Sequence, residues 1–134
     1  MSNLIFYYDN LSVDDVMHIY QYANWTANRS KEQVQKILEN TDVTILGKID
    51  DKPIAFARVV TDRCIRGFLE DIIIVPEHRG TQVVNQLFKE IEKKTLEAGV
   101  DRLEGVSLLE NKRFYEKRGW IIRKEYITGY KKLK

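Results

Sequence analysis

Two adjacent carboxylates, Glu70 and Asp71, stand directly before the apolar run 72–75 (IIIV). Because that run contains only β-branched residues, it is typical of a buried strand. Neighbouring residues of a strand point to opposite faces, so we expect one of the two acids to face a cleft. Burial there would raise its pKa toward a value that suits a general base. The alternative, a pair of solvated charges at a strand end, is left open.

A polar turn and a helix follow this strand. Pro76 removes a backbone donor and ends the strand, residues 77–80 (EHRG) form the turn, and helical periodicity begins at Thr81. This order places free backbone amides and the positive end of a helix dipole beside the carboxyl end of the strand. Such a corner suits an anion, usually a phosphate. In the alternative, Thr81 is the N-cap of a packing helix and no phosphate binds.

The other reactive side chains favour structural roles. Cys64 is the single cysteine, which excludes an internal disulfide and suits a reducing compartment. No histidine lies near it in sequence, so a small buried or half-buried side chain is expected there rather than a nucleophile. His18 lies beside the apolar face of the first predicted helix, where a structural or surface role is expected.

Strands and helices that could position these residues follow one another along the chain. Strands are predicted at 3–8, 43–49, 54–60, 72–75, 101–107, 120–126 and 130–133, and helices at 13–23, after Ser30, at 80–98 and at 109–118. Ser12 and Ser30 are predicted N-caps, residues 50–53 (DDKP) a hairpin turn, and Gly99 and Gly119 helix stops. This order predicts an α/β fold, with a mixed, mostly antiparallel sheet flanked by helices on both faces.

Composition limits the class of protein. The 134 residues, 43% of them hydrophobic, fit a single domain over residues 1–134. A net charge of +2 gives no general drive toward nucleic acid or a membrane. No secretory signal is visible and no apolar run approaches membrane-spanning length, so a cytoplasmic protein is expected. We expect no metal site.

Two stretches resemble the GNAT superfamily of acyl-CoA N-acetyltransferases. Residues 75–80 (VPEHRG) are similar to the loop that cradles the CoA pyrophosphate in that family, with the pattern Arg/Gln-x-x-Gly-x-Gly/Ala. Residues 111–120 (NKRFYEKRGW) are similar to its later motif, an Asn or Ala followed by Phe-Tyr-x-x-x-Gly-Phe/Trp. The motifs occur in the family's order, and the resemblance extends over nearly the whole chain.

The resemblance implies direct acetyl transfer from acetyl-CoA to a primary amine, carried by a small molecule or a peptide. Tyr115 matches the general acid toward the CoA sulfur, and Glu70 or Asp71 would be the base. Asn111 matches a contact of the pantetheine arm, although Asn is also an ordinary N-cap. The remaining cofactor-binding positions that it implies are Ile73, Ile74, Val75, Arg79, Gly80, Thr81, Gln82, Val83, Val84 and Phe114. Backbone amides at the end of strand 72–75 would bind the thioester oxygen.

Three aromatic residues, Tyr20, Tyr22 and Trp25, lie where the family forms its acceptor pocket. Aromatic rings there could stack on an amine or a cation. The alternative, which we favour slightly, places them in the core.

The loop departs from the family pattern at two positions. The family's inner glycines fall on Gln82 and Val84, where a Cβ takes up space that the phosphates need. One alternative is therefore a non-catalytic acyltransferase-fold protein that binds a ligand or a partner in its cleft. Another is a structural dimerisation module that forms a homodimer through the last strands, because edge strands readily pair.

Overall fold

The computed structural model describes residues 3–134, apart from the side chain of Thr81. The chain divides into two units, Met1–Glu104 and Gly105–Lys134, and each is described by itself. The single domain predicted from length and composition stays a prediction.

The first unit is built on one five-stranded sheet. Within the described residues its elements are β1 (Leu4–Tyr7), α1 (Val13–Tyr20), α2 (Lys31–Asn40), β2 (Val43–Ile49), β3 (Lys52–Thr61), β4 (Gly67–Ile74), α3 (Thr81–Glu97) and β5 (Leu103–Glu104). The strands lie in the order β1-β2-β3-β4-β5, antiparallel except for the parallel pair β4 and β5. This confirms the mixed, mostly antiparallel sheet predicted from the sequence.

Local signals set several boundaries of these elements. The side chain of Ser12 accepts from the Asp15 N–H at the start of α1, and Ser30 forms a capping box with Gln33 at the start of α2. The β2–β3 hairpin turns at Asp50 and Asp51, whose φ angles of 50° and 63° are those of a type I′ turn. Both predicted caps and the hairpin are confirmed.

Helices cover both faces of the sheet. Tyr20 of α1 packs edge-to-face on Phe56 of β3, with ring centroids 5.5 Å apart. On the other face, a Cβ added to Gly67 would lie 2.8 Å from Val59 Cγ1 and 3.4 Å from Thr95 Cγ2 of α3. Because Phe56 and Val59 point to opposite faces of β3, α1 and α3 enclose the sheet between them.

A β-bulge interrupts the pairing of β3 with β4 at Asp71. Phe56 pairs with Ile73 and Arg58 pairs with Glu70, so one residue of β3 lies opposite two of β4. The φ angle of Asp71 is 55°, in the left-handed region. The extra residue changes the alternation of side chains, and Glu70 and Asp71 both reach Arg58. The expectation that these two acids face opposite sides of the strand is therefore wrong.

Strand β5 is shorter than predicted. It pairs with β4 only at Gly67 and Phe68, whereas the sequence predicts a strand over residues 101–107. From residue 69 to residue 74, no strand in the described chain pairs with the edge of β4 that faces away from β3. The backbone of β4 is thus open along most of this edge.

The second unit contains a short helix, α4 (Lys112–Glu116), preceded by a 3₁₀ turn at Leu109–Asn111. Gly119 has a φ angle of 85°, and the N–H of Trp120 donates to the Tyr115 carbonyl at 3.1 Å. This bond pattern is that of a helix ended by a left-handed glycine, so the predicted stop at Gly119 is confirmed.

The strands predicted at 120–126 and 130–133 are wrong, because the described chain has no strand after Glu104. Ile121, Ile127 and Tyr130 are 87%, 96% and 95% exposed. Aromatic and β-branched residues give this segment a high strand propensity, but a strand is stable only beside a partner. A homodimer through this segment stays a prediction.

Candidate functional site

The carboxylate of Asp71 is the centre of a buried polar cluster. Its Oδ2 accepts hydrogen bonds from the Tyr20 hydroxyl at 2.9 Å, Arg29 Nη1 at 2.6 Å and Arg58 Nε at 2.7 Å. The side chain has no exposed surface, and Oδ1 has no hydrogen-bond partner among the described residues. These four residues, the Asp71 cluster, connect the bulge to α1, to the α1–α2 connection and to β3.

The protonation states within the Asp71 cluster follow from these contacts. Burial by itself would raise the pKa of Asp71, but the hydrogen bonds from Arg29 and Arg58 and the charge of Arg58 outweigh it, so the pKa lies below its ordinary value. Burial and the negative charge of Asp71 raise the pKa of Tyr20, which therefore remains a donor. Asp71 stays ionised at neutral pH and is a weak proton acceptor, which suits a positioning role.

Glu70 has a different environment from its neighbour. Its side chain is 36% exposed, and its Oε2 lies 4.0 Å from Arg58 Nη2. It lies on the same face as Asp71, next to the bulge and within reach of solvent. Of the two acids, Glu70 is the one that an acceptor from solution could reach.

The end of β4 leads into an uncapped helix. Gly80 is the N-cap of α3 and supplies no side-chain acceptor, and the first helical bond runs from the Val84 N–H to the Gly80 carbonyl at 3.3 Å. The three N–H groups before Val84 have no partner inside the helix. Because the first turn also lacks an acidic residue, the dipole and these N–H groups suit an anion. The cap is Gly80 rather than Thr81.

Arg79 lies beside this helix start. Its Nε donates to the Ile74 carbonyl at 2.8 Å, and no described residue accepts from its other guanidinium N–H groups. The Val75 N–H donates to the Ile54 carbonyl at 2.9 Å. Because hydrogen-bonded and non-hydrogen-bonded pairs alternate between antiparallel strands, the N–H and C=O of Ile74 point to the open edge of β4.

The other predicted cofactor positions surround this corner. Ile73, Ile74 and Val75 are buried as expected, but the strand begins earlier than the predicted range 72–75, and Val75 lies just after it. Gln82 is exposed, and Val83 and Val84 are half-buried on the first turns of α3. The side chain of Thr81 lies outside the described residues.

The three aromatic residues predicted at the acceptor pocket differ in how deeply they are buried. Tyr20 is 2% exposed and belongs to the core, which was the alternative for it. Tyr22 and Trp25 are 37% and 60% exposed, so the core alternative is wrong for these two residues. Tyr22 packs edge-to-face on His18, whose Nδ1 lies 3.1 Å from Gln21 Nε2, so His18 has the surface role expected of it.

The predicted residues of the second unit form a cluster of their own. The Tyr115 ring packs edge-to-face on Phe114 and Trp120, with centroids 5.0 Å and 5.2 Å apart. Asn111 precedes α4 without capping it, and its Nδ2 donates to Ser107 Oγ at 2.9 Å. The roles of these residues toward CoA stay predictions.

Cys64 differs from the expectation, because its side chain is exposed. It lies in a turn organised by Asp62, whose Oδ1 accepts the N–H groups of Cys64, Ile65 and Arg66. The side chains of this turn point into solvent, so even a small side chain such as that of Cys64 is not buried there.

Two residues of the Asp71 cluster, Arg29 and Arg58, are not among the site residues predicted from the sequence. Arg58 carried a signal, since it is the only charge within the apolar strand 54–60 (IAFARVV). A buried charge is retained where it has a partner. Arg29 lies in an irregular connection without periodicity, and nothing in the sequence indicated it.

No group of three or more His, Cys, Asp or Glu side chains could hold a metal ion in the described part of the chain. Among residues 3–134, no helix combines the length and the apolar character needed to cross a bilayer.

Comparison with known proteins gives a consistent result. The family model described as the acetyltransferase (GNAT) family matches residues 10–120. No curated protein matches the chain in sequence.

Solved structures show the same fold at low identity. A GNAT-family protein from Xanthomonas campestris pv. campestris has a TM-score of 0.78 at 22% identity, over 97% of this chain and 94% of its own. A GNAT-family acetyltransferase from Streptococcus pneumoniae TIGR4 has a TM-score of 0.75 at 24% identity, over 100% and 98%. The aminoglycoside N-acetyltransferase AAC(6')-Iy, solved in complex with CoA, has a TM-score of 0.76 at 15% identity, over 99% and 97%.

Proposed function

Because the chain belongs to the acetyltransferase (GNAT) family, we propose that this acyl-CoA N-acyltransferase moves an acetyl group from acetyl-CoA to a primary amine by direct transfer. The observation that carries the proposal is the open edge of β4, which runs from the bulge at Asp71 to the uncapped start of α3. The family assignment also favours an enzyme over the non-catalytic alternative.

The open edge fits the chemical groups of acetyl-CoA. The pantetheine arm carries amides, and the outward N–H of Ile74 is a matching donor, whereas the Ile74 carbonyl already accepts from Arg79 Nε. The pyrophosphate is an anion, and the uncapped N–H groups of α3 with the guanidinium of Arg79 suit one. Val84 carries a Cβ where the family has glycine, and this Cβ narrows the approach of a phosphate to the backbone N–H groups at the start of α3, so more of the binding falls to the guanidinium of Arg79.

Transfer requires a neutral amine and a donor for the thioester oxygen. Free alkylamines have a pKa near ~10, so a base must take a proton at neutral pH. Glu70 is the base that we propose, because it is accessible whereas Asp71 is held ionised by three donors. The bulge removes backbone groups from the β3–β4 ladder, and such an N–H would stabilise the thioester oxygen as charge develops.

Tyr115 is the general acid that the family resemblance implies for the departing CoA thiolate. Its hydroxyl would donate a proton to the sulfur as the carbon–sulfur bond breaks, while the amine nitrogen forms the new bond to the acetyl carbon. Tyr115→Phe should therefore lower kcat by about 10²-fold, in the range of a lost general acid. Tyr126→Phe, at an exposed tyrosine of the same unit, is the matched control.

The first test is calorimetric titration with acetyl-CoA and CoA, followed by thiol release in the presence of a panel of primary amines. We expect micromolar binding, about −8 kcal/mol, and amine-dependent release of CoA that falls in Glu70→Gln and Tyr115→Phe. No heat at millimolar ligand, in protein shown to be folded by circular dichroism, would reject the proposal. Binding without turnover for any amine would revive the non-catalytic alternative.

A further inference from the structure

A pocket of about 440 Å³ lies on the first unit, and no predicted site residue lines it. Its lining residues are Val60, Thr61, Asp62, Arg66, Phe68 and Glu104. A volume of this order suits a small molecule. Val60 and Phe68, near the end of β3 and the start of β4, are 48% and 37% exposed and leave apolar surface open to solvent.

Strand register places this pocket next to Glu70. Val60 pairs with Phe68 and Phe68 pairs with Glu104, so these residues form one row across β3, β4 and β5. The next row on the same face is the pair of Arg58 and Glu70, because β3 and β4 are regular between the two rows. Two residues along a strand are about 7 Å apart, so the row of Val60 and Phe68 lies one short step from the proposed base.

The charged groups of the pocket are already paired within the protein. Arg66 Nε lies 3.1 Å from Glu104 Oε2, and Arg102 Nε lies 3.2 Å from the same oxygen. Asp62 accepts backbone N–H groups of its own turn, and these lower its pKa. The groups that lack a structural explanation are therefore the apolar ones. A ligand gains affinity on this surface when its apolar atoms cover Val60 and Phe68 and remove them from water.

We infer that the acceptor is a primary amine with an apolar body, aromatic or branched aliphatic, that lies on Val60 and Phe68 while its nitrogen lies at Glu70. The inference rests on the proposed function and adds the class of acceptor to it. A short linker of a few atoms between nitrogen and body spans the distance between the two rows. Polyamines and hydroxylated amines lack the apolar group and gain nothing from this surface.

The test compares primary amines with and without an apolar body in the thiol-release assay, and ethanolamine has the same single charge as phenethylamine. At saturating acetyl-CoA, we expect kcat/KM for phenethylamine to exceed that for ethanolamine and putrescine by about tenfold or more, equivalent to about 1.4 kcal/mol. Val60→Thr keeps the shape and the β-branch while it replaces a methyl by a hydroxyl. It should raise KM for phenethylamine several-fold and leave kcat/KM for ethanolamine and the affinity for acetyl-CoA unchanged.

The matched control is Ile5→Thr, which places a similar polar group on a 52% exposed strand residue of β1. It should leave kcat/KM for every acceptor unchanged. Equal or better turnover of the hydrophilic amines, or a Val60→Thr profile like that of Ile5→Thr, would overturn the inference while the acetyltransferase proposal stands.

A second readout does not depend on turnover. Millimolar phenethylamine should shift the NMR signals of the Val60 methyl groups and leave those of Val34 in α2, which is fully buried, unchanged. Unshifted Val60 signals would overturn the inference. Failure of the proposed function has a separate signature, the absence of acetyl-CoA binding.

Discussion

Asp71 combines a left-handed backbone with a carboxylate that accepts hydrogen bonds from Tyr20, Arg29 and Arg58. A non-glycine residue in that region costs about 1–3 kcal/mol, although Asp tolerates it better than most residues. Each hydrogen bond to a charged group contributes about 1.5–3 kcal/mol. The cluster therefore offsets the backbone cost and holds the bulge in place, which in turn brings Glu70 and Asp71 to one face.

Removal of one hydroxyl measures this stabilisation directly. Tyr20→Phe deletes a donor to a fully buried carboxylate and keeps the ring that packs on Phe56. We expect the free energy of unfolding to fall by about 1.5–3 kcal/mol, measured by urea denaturation with an unchanged m-value. Tyr22→Phe, at an exposed ring, should change it by less than about 0.5 kcal/mol. A Tyr20→Phe effect as small as that of Tyr22→Phe would contradict the role of the cluster.

The lowered pKa of Asp71 predicts a specific dependence of stability on pH. Since the native pKa lies below the ordinary value of 3.8, ionised Asp71 stabilises the fold above about pH 4, and this contribution is lost as the pH falls through the native pKa. Asp71→Asn lacks the charge, and Asn also tolerates the left-handed backbone. We expect it to be less stable by about 2–3 kcal/mol at pH 7.

The pH profile of that difference is the decisive measurement. It should stay constant between pH 5 and 7 and shrink below about pH 4, because only the wild type loses the ionised group there. Asp14→Asn, at an ion pair that is mostly exposed, is the control. A difference that persists unchanged through the acid range would show that Asp71 titrates normally.

At the scale of elements, α3 packs on the sheet through a position that only glycine fits. A Cβ at Gly67 would lie 2.8 Å from Val59 Cγ1, closer than real Cβ contacts, and 3.4 Å from Thr95 Cγ2. Val59 is fully buried, and its β-branched side chain has few alternative rotamers. The Val59 Cγ1 methyl group therefore leaves no room for a side chain at position 67.

Gly67→Ala should destabilise the protein by about 1–3 kcal/mol through overpacking. Val59→Ala removes the clashing methyl groups, so the double variant should lose less stability than the sum of the two single variants, by about 1 kcal/mol or more. Gly129→Ala, which has no neighbour within 4 Å of the added Cβ, is the control. If the stability losses of the two single variants add up to that of the double variant in thermal or urea unfolding, the strain does not arise between positions 59 and 67.

Elements with local signals were predictable from the sequence. The caps at Ser12 and Ser30 and the turn at residues 50–51 depend on side chains and backbone within a few residues, and the structure confirms them. The bulge was not predictable in this way, because the apolar pattern of a strand implies regular alternation of side chains across Asp71. Its cause lies in partners that are distant in sequence, Arg29 and Arg58.

The same distinction explains the candidate site and the end of the chain. The helix start at Gly80, which has no side-chain cap, could be predicted from the order of strand, turn and helix. The pocket at Val60 and Phe68 could not, since it depends on which strands become neighbours and where their pairing stops. Strand propensity after Trp120 gave the wrong result because propensity does not supply a partner.

At the scale of the whole molecule, the two units differ in how their backbone is held. Strand β2 lies between β1 and β3, and β3 lies between β2 and β4, so both are paired on each side. The described residues after Gly119 contain no helix or strand, and their large apolar side chains are mostly exposed. Backbone groups of this segment lack the ladder that slows exchange with solvent.

Hydrogen exchange followed by mass spectrometry tests this difference. Peptides that cover β2 and β3 should exchange slowly, near the rate of global unfolding, whereas peptides from residues 120–134 should exchange close to the rate of an unstructured chain. Acetyl-CoA should slow exchange in the peptide that covers residues 69–75, because the Ile74 N–H points to the open edge of β4. The β1–β2 pairing, remote from that edge, provides the control. Protection of residues 120–126 equal to that of β2, without ligand, would show that this segment is paired as a strand after all.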